Sequence, residues 1–183
     1  MITNPRPTRA EISDVANAVY ENGRTLVPVR FISESFGAMV GWHDATQTVG
    51  YAIEFDGYKF VIMTDIGRMT DEAVEFARQA HTVVVESNYD IDMLMQGPYT
   101  YELKMRIVQG CGHLSNDECA SAIKRFWHPG LRNIFLCHLS ENNNTHELAY
   151  RCSSKALCEI GVAPGTVSLR CLPRQYPSPL FAL

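Results

Sequence analysis

The stretch Val49-Gly50-Tyr51-Ala52-Ile53-Glu54-Phe55-Asp56-Gly57-Tyr58-Lys59-Phe60-Val61-Ile62-Met63-Thr64-Asp65 decides how this chain is read. Two β-rich runs, 49–55 and 58–63, flank Asp56-Gly57, a dipeptide suited to a two-residue hairpin turn because it tolerates positive φ. The second run ends at Thr64-Asp65-Ile66-Gly67, which sets a carboxylate where a strand gives way to a loop.

Downstream, short apolar runs alternate with helical periods. Thr70-Asp71-Glu72 caps a helix reaching about Gln79, and residues 82–85 read as a short buried strand. Gly97-Pro98 breaks a helix-rich stretch. Helices are expected over 115–127 and 145–160, with a strand over 133–137 between them and another over 167–171 before a proline-rich tail. Alternating strands and helices imply an α/β sheet. Upstream, residues 9–20 suit a weakly amphipathic helix and 25–29 an edge strand limited by Pro28. Residues 30–36 read as a helical turn stopped by Gly37, and 39–42 as a strand.

At 183 residues, 46% hydrophobic and 20% charged, the composition is that of one globular domain. The net charge of −4 is spread along the chain. With no basic block, any nucleic-acid contact must be local to a site. No long apolar run opens the chain, so neither a signal peptide nor a membrane span is expected, and the cytoplasm is the default compartment. The six cysteines form no Cys-x-x-Cys pair, and they read as buried thiols rather than a disulfide or zinc-thiolate framework.

Two histidine strings carry the chemistry: Gly112-His113-Leu114-Ser115-Asn116 and Cys137-His138-Leu139-Ser140-Glu141-Asn142-Asn143. Each sets a histidine where a strand or loop yields to a polar, helix-starting segment. His138 and Asp65 are expected at the same sheet edge, where together they supply the nitrogen and oxygen that Zn²⁺ or Mn²⁺ accepts. Ser140 and Asn142 stand nearby as supporting partners. Glu86, ending Val83-Val84-Val85, is placed to orient His113 and make it a proton donor. Blander roles stay open: a loop aspartate, a core histidine bonded to backbone, a solvated strand end. Lys104 and Arg106 suit either a phosphate or a solvated face, and His81, His128 and His146 suit the surface.

Thr64-Asp65-Ile66-Gly67, Glu86-Ser87-Asn88-Tyr89-Asp90, Gly97-Pro98-Tyr99 and the two histidine strings, in this order, resemble the C-terminal half of a metallo-β-lactamase-fold hydrolase. The resemblance is to the YycJ (WalJ) type of phosphodiesterase and exonuclease, and it runs over about 43–183. It implies half of an αββα sandwich, a mixed sheet with helices mainly on one face. It further implies metal ligands at Asp65, His138 and His43, an acid relay of Glu86 with His113, and supporting or phosphate-binding roles for Asn88, Ser115, Ser140 and Asn142.

Residues from Asn22-Gly23-Arg24 to Val49 resemble instead the copper amine oxidase N-terminal, or stalk, domain, so that 1–42 is expected to be a short β-α-β segment fused to the rest. That segment offers no ligand cluster before His43, so the label implies no copper site. The His-x-His-x-Asp-His string of a two-metal hydrolase is missing from the sequence. A phosphodiesterase or nuclease holding one divalent ion or none is therefore expected, and the alternative is an inactive structural or interaction module. An uncovered sheet face is expected to favour self-association or a complementary chain.

Overall fold

A computed structural model describes the backbone of residues 19–21, 24–26, 39–44, 49–109, 112–174 and 178, with side chains from residue 50 onward. Strands β1 (Val19–Glu21) and β2 (Arg24–Leu26) pair antiparallel as a small separate sheet. Val19 and Tyr20 are thus extended where a helix was expected. The rest of that helix, the turn over 30–36 and the remainder of the strand over 25–29 lie outside the described residues.

The main sheet has six strands in chain order: β3 (Met39–Asp44), β4 (Val49–Phe55), β5 (Tyr58–Met63), β6 (Thr82–Glu86), β7 (Asn133–Cys137) and β8 (Ser168–Cys171). β3, β4 and β5 run antiparallel, and β5 through β8 run parallel. The β4–β5 hairpin turns where expected. Asp56 and Gly57 adopt φ of 48° and 75°, the left-handed pair that a type I′ turn requires.

Helices join the parallel strands: α1 (Asp71–Ala77), then α2 (Ile91–Gln96), α3 (Tyr101–Val108) and α4 (Asn116–Phe126), then α5 (His146–Glu159). Each starts at a side-chain cap. Thr70 and Thr145 each accept from the amide three residues on, that of Ala73 and of Leu148, and Ser115 forms a reciprocal capping box with Glu118. Residues Cys119, Ala122, Ile123 and Phe126 recur with helical period and bury one face of α4. That face packs with Val74 and Ala77 of α1 and Ala149 and Leu157 of α5 against Val61, Met63, Val83, Val85, Ile134 and Leu136 of the sheet. The mixed α/β sheet with helices on one face matches the expected class. Phe60, Ile62 and Val84 on the other face are partly exposed.

Two histidines expected at the surface are half-buried fasteners at the N-terminal edge of the parallel strands. His81 Nδ1 accepts from Lys59 N at 3.0 Å and stacks on Tyr58. His128 Nδ1 accepts from Gly130 N, and its Nε2 donates to Ala80 O at 3.0 Å. His146 is exposed, as expected. The five described cysteines are free thiols, and Cys111 lies outside the described residues. Among the described residues no helix is long and apolar enough to cross a membrane.

Phe126 is fully buried at the centre of the core. Phe126→Ala is expected to lower the unfolding free energy by about 3–5 kcal/mol through lost burial and a residual cavity. Tyr101→Ala, at a side chain 68% exposed, is expected to change it by less than about 0.5 kcal/mol. Urea denaturation of both variants checks the pair.

Candidate metal centre

The C-terminal ends of β5, β6 and β7 lie side by side, the edge at which parallel α/β sheets place their sites. Asp65 follows β5 by two residues, Glu86 closes β6 and His138 follows β7 directly. His113 arrives from the loop before α4. The ligating atoms of these four side chains all lie within 4.8 Å of one another.

Glu86 organises the group. It is fully buried, yet it accepts from five donors. Oε1 takes the amides of Ile66 at 3.1 Å and Leu114 at 2.8 Å. Oε2 takes the amide of Asp65 at 3.0 Å and faces Nδ1 of His113 at 3.3 Å and Nδ1 of His138 at 3.2 Å. Burial alone would raise its pKa, but the hydrogen bonds from His113, His138 and Leu114 outweigh it and hold the carboxyl down at about 2. The group is therefore an anion in the interior.

An ionised Glu86 dictates how the imidazoles are used. Each ring carries its proton on Nδ1, toward Glu86, so that in the neutral form the lone pair sits on Nε2. His138 Nε2 is 3.8 Å from Asp65 Oδ1, and His113 Nδ1 is 3.5 Å from the same oxygen. The hydrogen bond to Glu86 is the main reason that the His138 pKa is raised, and the charge of Asp65 adds to it against desolvation. Neighbouring Cys137 stays a thiol, its pKa pushed up to about 12 chiefly by burial. The available donors are thus imidazole nitrogen and carboxylate oxygen, with no thiolate. This set fits a borderline divalent cation such as Zn²⁺ or Mn²⁺.

Backbone conformation supports the same corner. Asp65 and His138 both adopt φ of 55°, and Asp56 in the hairpin turn is the only other non-glycine residue with positive φ among those described. Left-handed geometry costs about 1–3 kcal/mol per residue where no turn demands it, and it concentrates at sites that over-determine it. Here the Asp65 amide is fixed by Glu86, and the His138 carbonyl accepts from Asn88 Nδ2 at 2.6 Å.

The remaining expected residues fall in different places. Asn88 and Ser140 line a pocket of about 780 Å³ that also includes Asp65, His113 and His138. Ser115 is occupied as the cap of α4. Asn142 is exposed, and the buried members of that run are Asn143 and Asn144. Asn144 pairs with Asn116 and donates to the carbonyls of Ser87 and Asn88, which locks the loop after β6 to the starts of α4 and α5. The sequence offered three consecutive asparagines and no signal for which would turn inward. His43 stands in β3 opposite Gly50, which in turn faces Met63 of β5. It thus shares the edge two strands away, about 10 Å from β5, and its side chain lies outside the described residues.

Comparison with known proteins finds both expected likenesses. Residues 8–51 match the copper amine oxidase N-terminal domain family, a longer span than the Asn22 start suggested. The exodeoxyribonuclease WalJ of Streptococcus pneumoniae is 33% identical over 147 residues, 80% of this chain and 54% of that protein. The exodeoxyribonuclease YycJ of Bacillus anthracis is 36% identical over 132 residues, 72% of this chain and 49% of that protein. The chain spans about half the length of the curated relatives it matches. Among solved structures, the metallo-β-lactamase fold protein YhfI of Bacillus subtilis overlaps 73% of this chain and 44% of its own, at 14% identity and a TM-score of 0.47. Zn²⁺-bound PqqB of Methylobacterium extorquens overlaps 74% and 45%, at 16% identity and the same TM-score.

Replacing Glu86 strands buried donors from three loops. Glu86→Ala is expected to cost at least about 3 kcal/mol. Glu86→Gln keeps the shape but puts an amide NH₂ among donors, and is expected to fall between wild type and Glu86→Ala. Thermal or urea unfolding in the presence of EDTA measures both. A loss under about 1 kcal/mol for Glu86→Ala would contradict the role of Glu86 as organiser.

Proposed function

We propose, taking the likeness to the WalJ and YycJ exodeoxyribonucleases as the premise, that this chain contributes the metal-binding edge of a phosphodiesterase acting on nucleic acid. The observation that carries the reading is the convergence of Asp65, His113 and His138 on one buried, ionised Glu86. Under this reading Asp65 Oδ1 and His138 Nε2 hold a divalent cation, and His43 extends the ligand set along the same edge. The cation, when bound, supplies Lewis-acid polarisation of a phosphate oxygen and acidifies water.

The other side chains do the rest. Glu86 keeps both imidazoles in the Nδ1–H form and cancels the charge that His113 takes on when it is protonated. A protonated His113 then gives its Nε2 proton to the departing oxygen of the phosphodiester, and Glu86 steadies the ring before and after. Asn88 and Ser140 hold the wall of the pocket beside the cluster.

A second reading, an inactive structural or interaction module, is favoured by a ligand group that among the described residues comes from a single sheet edge. Calorimetric titration with Mn²⁺ or Zn²⁺, together with turnover of bis-p-nitrophenyl phosphate and single-stranded DNA, separates the two. On the first reading, Asp65→Ala and His138→Ala each weaken cation binding at least about tenfold and abolish turnover. His113→Ala keeps most of the binding and slows turnover by roughly 10²–10⁴. Binding without turnover leaves the second reading, and no binding sinks the first.

A further inference from the structure

The pocket beside the cluster has a second wall, built by Leu94 of α2, by Tyr99 and by one face of α3. The turn between the two helices is tight at Gly97, where a Cβ would meet Asn143 Oδ1 at 2.7 Å and Met93 O at 3.0 Å. α3 is unlike the core helices, for it fully buries none of its residues. Leu103, Arg106 and Ile107, spaced three and four apart, share one face and line the pocket. Tyr99, half-buried, lines it just before the helix starts.

The polarity of this wall is specific. Arg106 is exposed and is the only arginine or lysine in the pocket lining among the described residues. Lys104, the other cation of the segment, is turned elsewhere, with its Nζ donating to Met95 O at 2.7 Å. An anion seated at the acidic cluster would need compensation from that side, and Arg106 offers it with a planar, bidentate fork suited to phosphate. An aromatic ring with apolar neighbours next to such a cation suits a nucleobase, since every base has a face to stack. The volume of about 780 Å³ lies within the range of small-molecule sites.

We infer that this wall is a nucleotide site: Tyr99 stacks a base of single-stranded DNA, and Arg106 holds a phosphate beside the one placed at the Asp65–His138 cluster. The inference rests on the nucleic-acid reading above and adds the residues that grip the strand.

Fluorescence anisotropy tests it on the full chain in EDTA, with a labelled single-stranded deoxyoligonucleotide whose unlabelled end, 5′ or 3′, is natural or abasic. Tyr99→Ala is expected to weaken binding of the natural end roughly ten- to a hundredfold, and Tyr99→Phe to stay within about threefold of wild type. Arg106→Ala is expected to lower the slope of log K against log salt by about 1, with Arg106→Lys restoring it. An abasic end is expected to weaken wild-type binding and to erase the effect of Tyr99→Ala. No wild-type binding, or an equal loss for Tyr99→Ala on natural and abasic ends, overturns the site. Turnover of bis-p-nitrophenyl phosphate by the wild type reports on the metal reading separately. Turnover without these binding effects overturns the nucleotide site alone, whereas the binding effects without turnover or cation binding support the site and overturn the metal reading.

Discussion

A single carboxylate in the interior holds the working edge of this molecule together. An ion with no water around it is costly unless every lone pair finds a donor. Glu86 meets that condition with amides from the loops after β5 and before α4, and with imidazoles from the latter loop and from the end of β7. The condition works in both directions. The loops are held because the carboxylate must be satisfied, and the carboxylate stays ionised because the loops are in place. The left-handed backbone at Asp65 and His138 persists within this frame.

Around this anion polar fasteners join the buried apolar side chains of Ile66, Leu114 and Leu139. The loop following β6 is bonded on both sides: Asn88 N donates to Leu114 O, Ser140 N to Asn88 O, and Asn116 N to Tyr89 O. Asn116 and Asn144 close the arrangement from beneath. The pocket's far wall is built on a different principle, since α3 stands with a capped start and an apolar face but no fully buried residue. A cluster braced by hydrogen bonds thus faces, across the pocket, a helix with no fully buried residue.

Much of the fold was legible because its signals are local. Asp56-Gly57 fixed a turn, Thr70, Ser115 and Thr145 marked helix starts, and Val83-Val84-Val85 read as a strand, which the helices cover on the face of Val83 and Val85. The residues brought together at the site were legible as candidates because strand ends in a parallel sheet share an edge. Other features depend on partners 20 to 57 residues away and leave no local trace. The total burial of Glu86 is one, reached through positions 65, 113 and 138. The choice of Asn144 over Asn142 is another, and so is the inward turn of His81 and His128, set by backbone groups of Lys59 and Ala80.

The six strands of the main sheet stand in the order in which the chain supplies them. Each new strand therefore docks on the one just made, so growth of the sheet needs no rearrangement of what is already built, the condition under which loop-closure entropy slows assembly least. The cluster does not share that gradual history. Glu86 arrives with β6, whereas His113 follows 27 residues later and His138 52 residues later. Until those loops close, an acid is being drawn into the interior without its donors. An ionised Glu86 is thus satisfied only when positions 65, 113 and 138 are all in place, so the edge is complete with all of its loops or not at all.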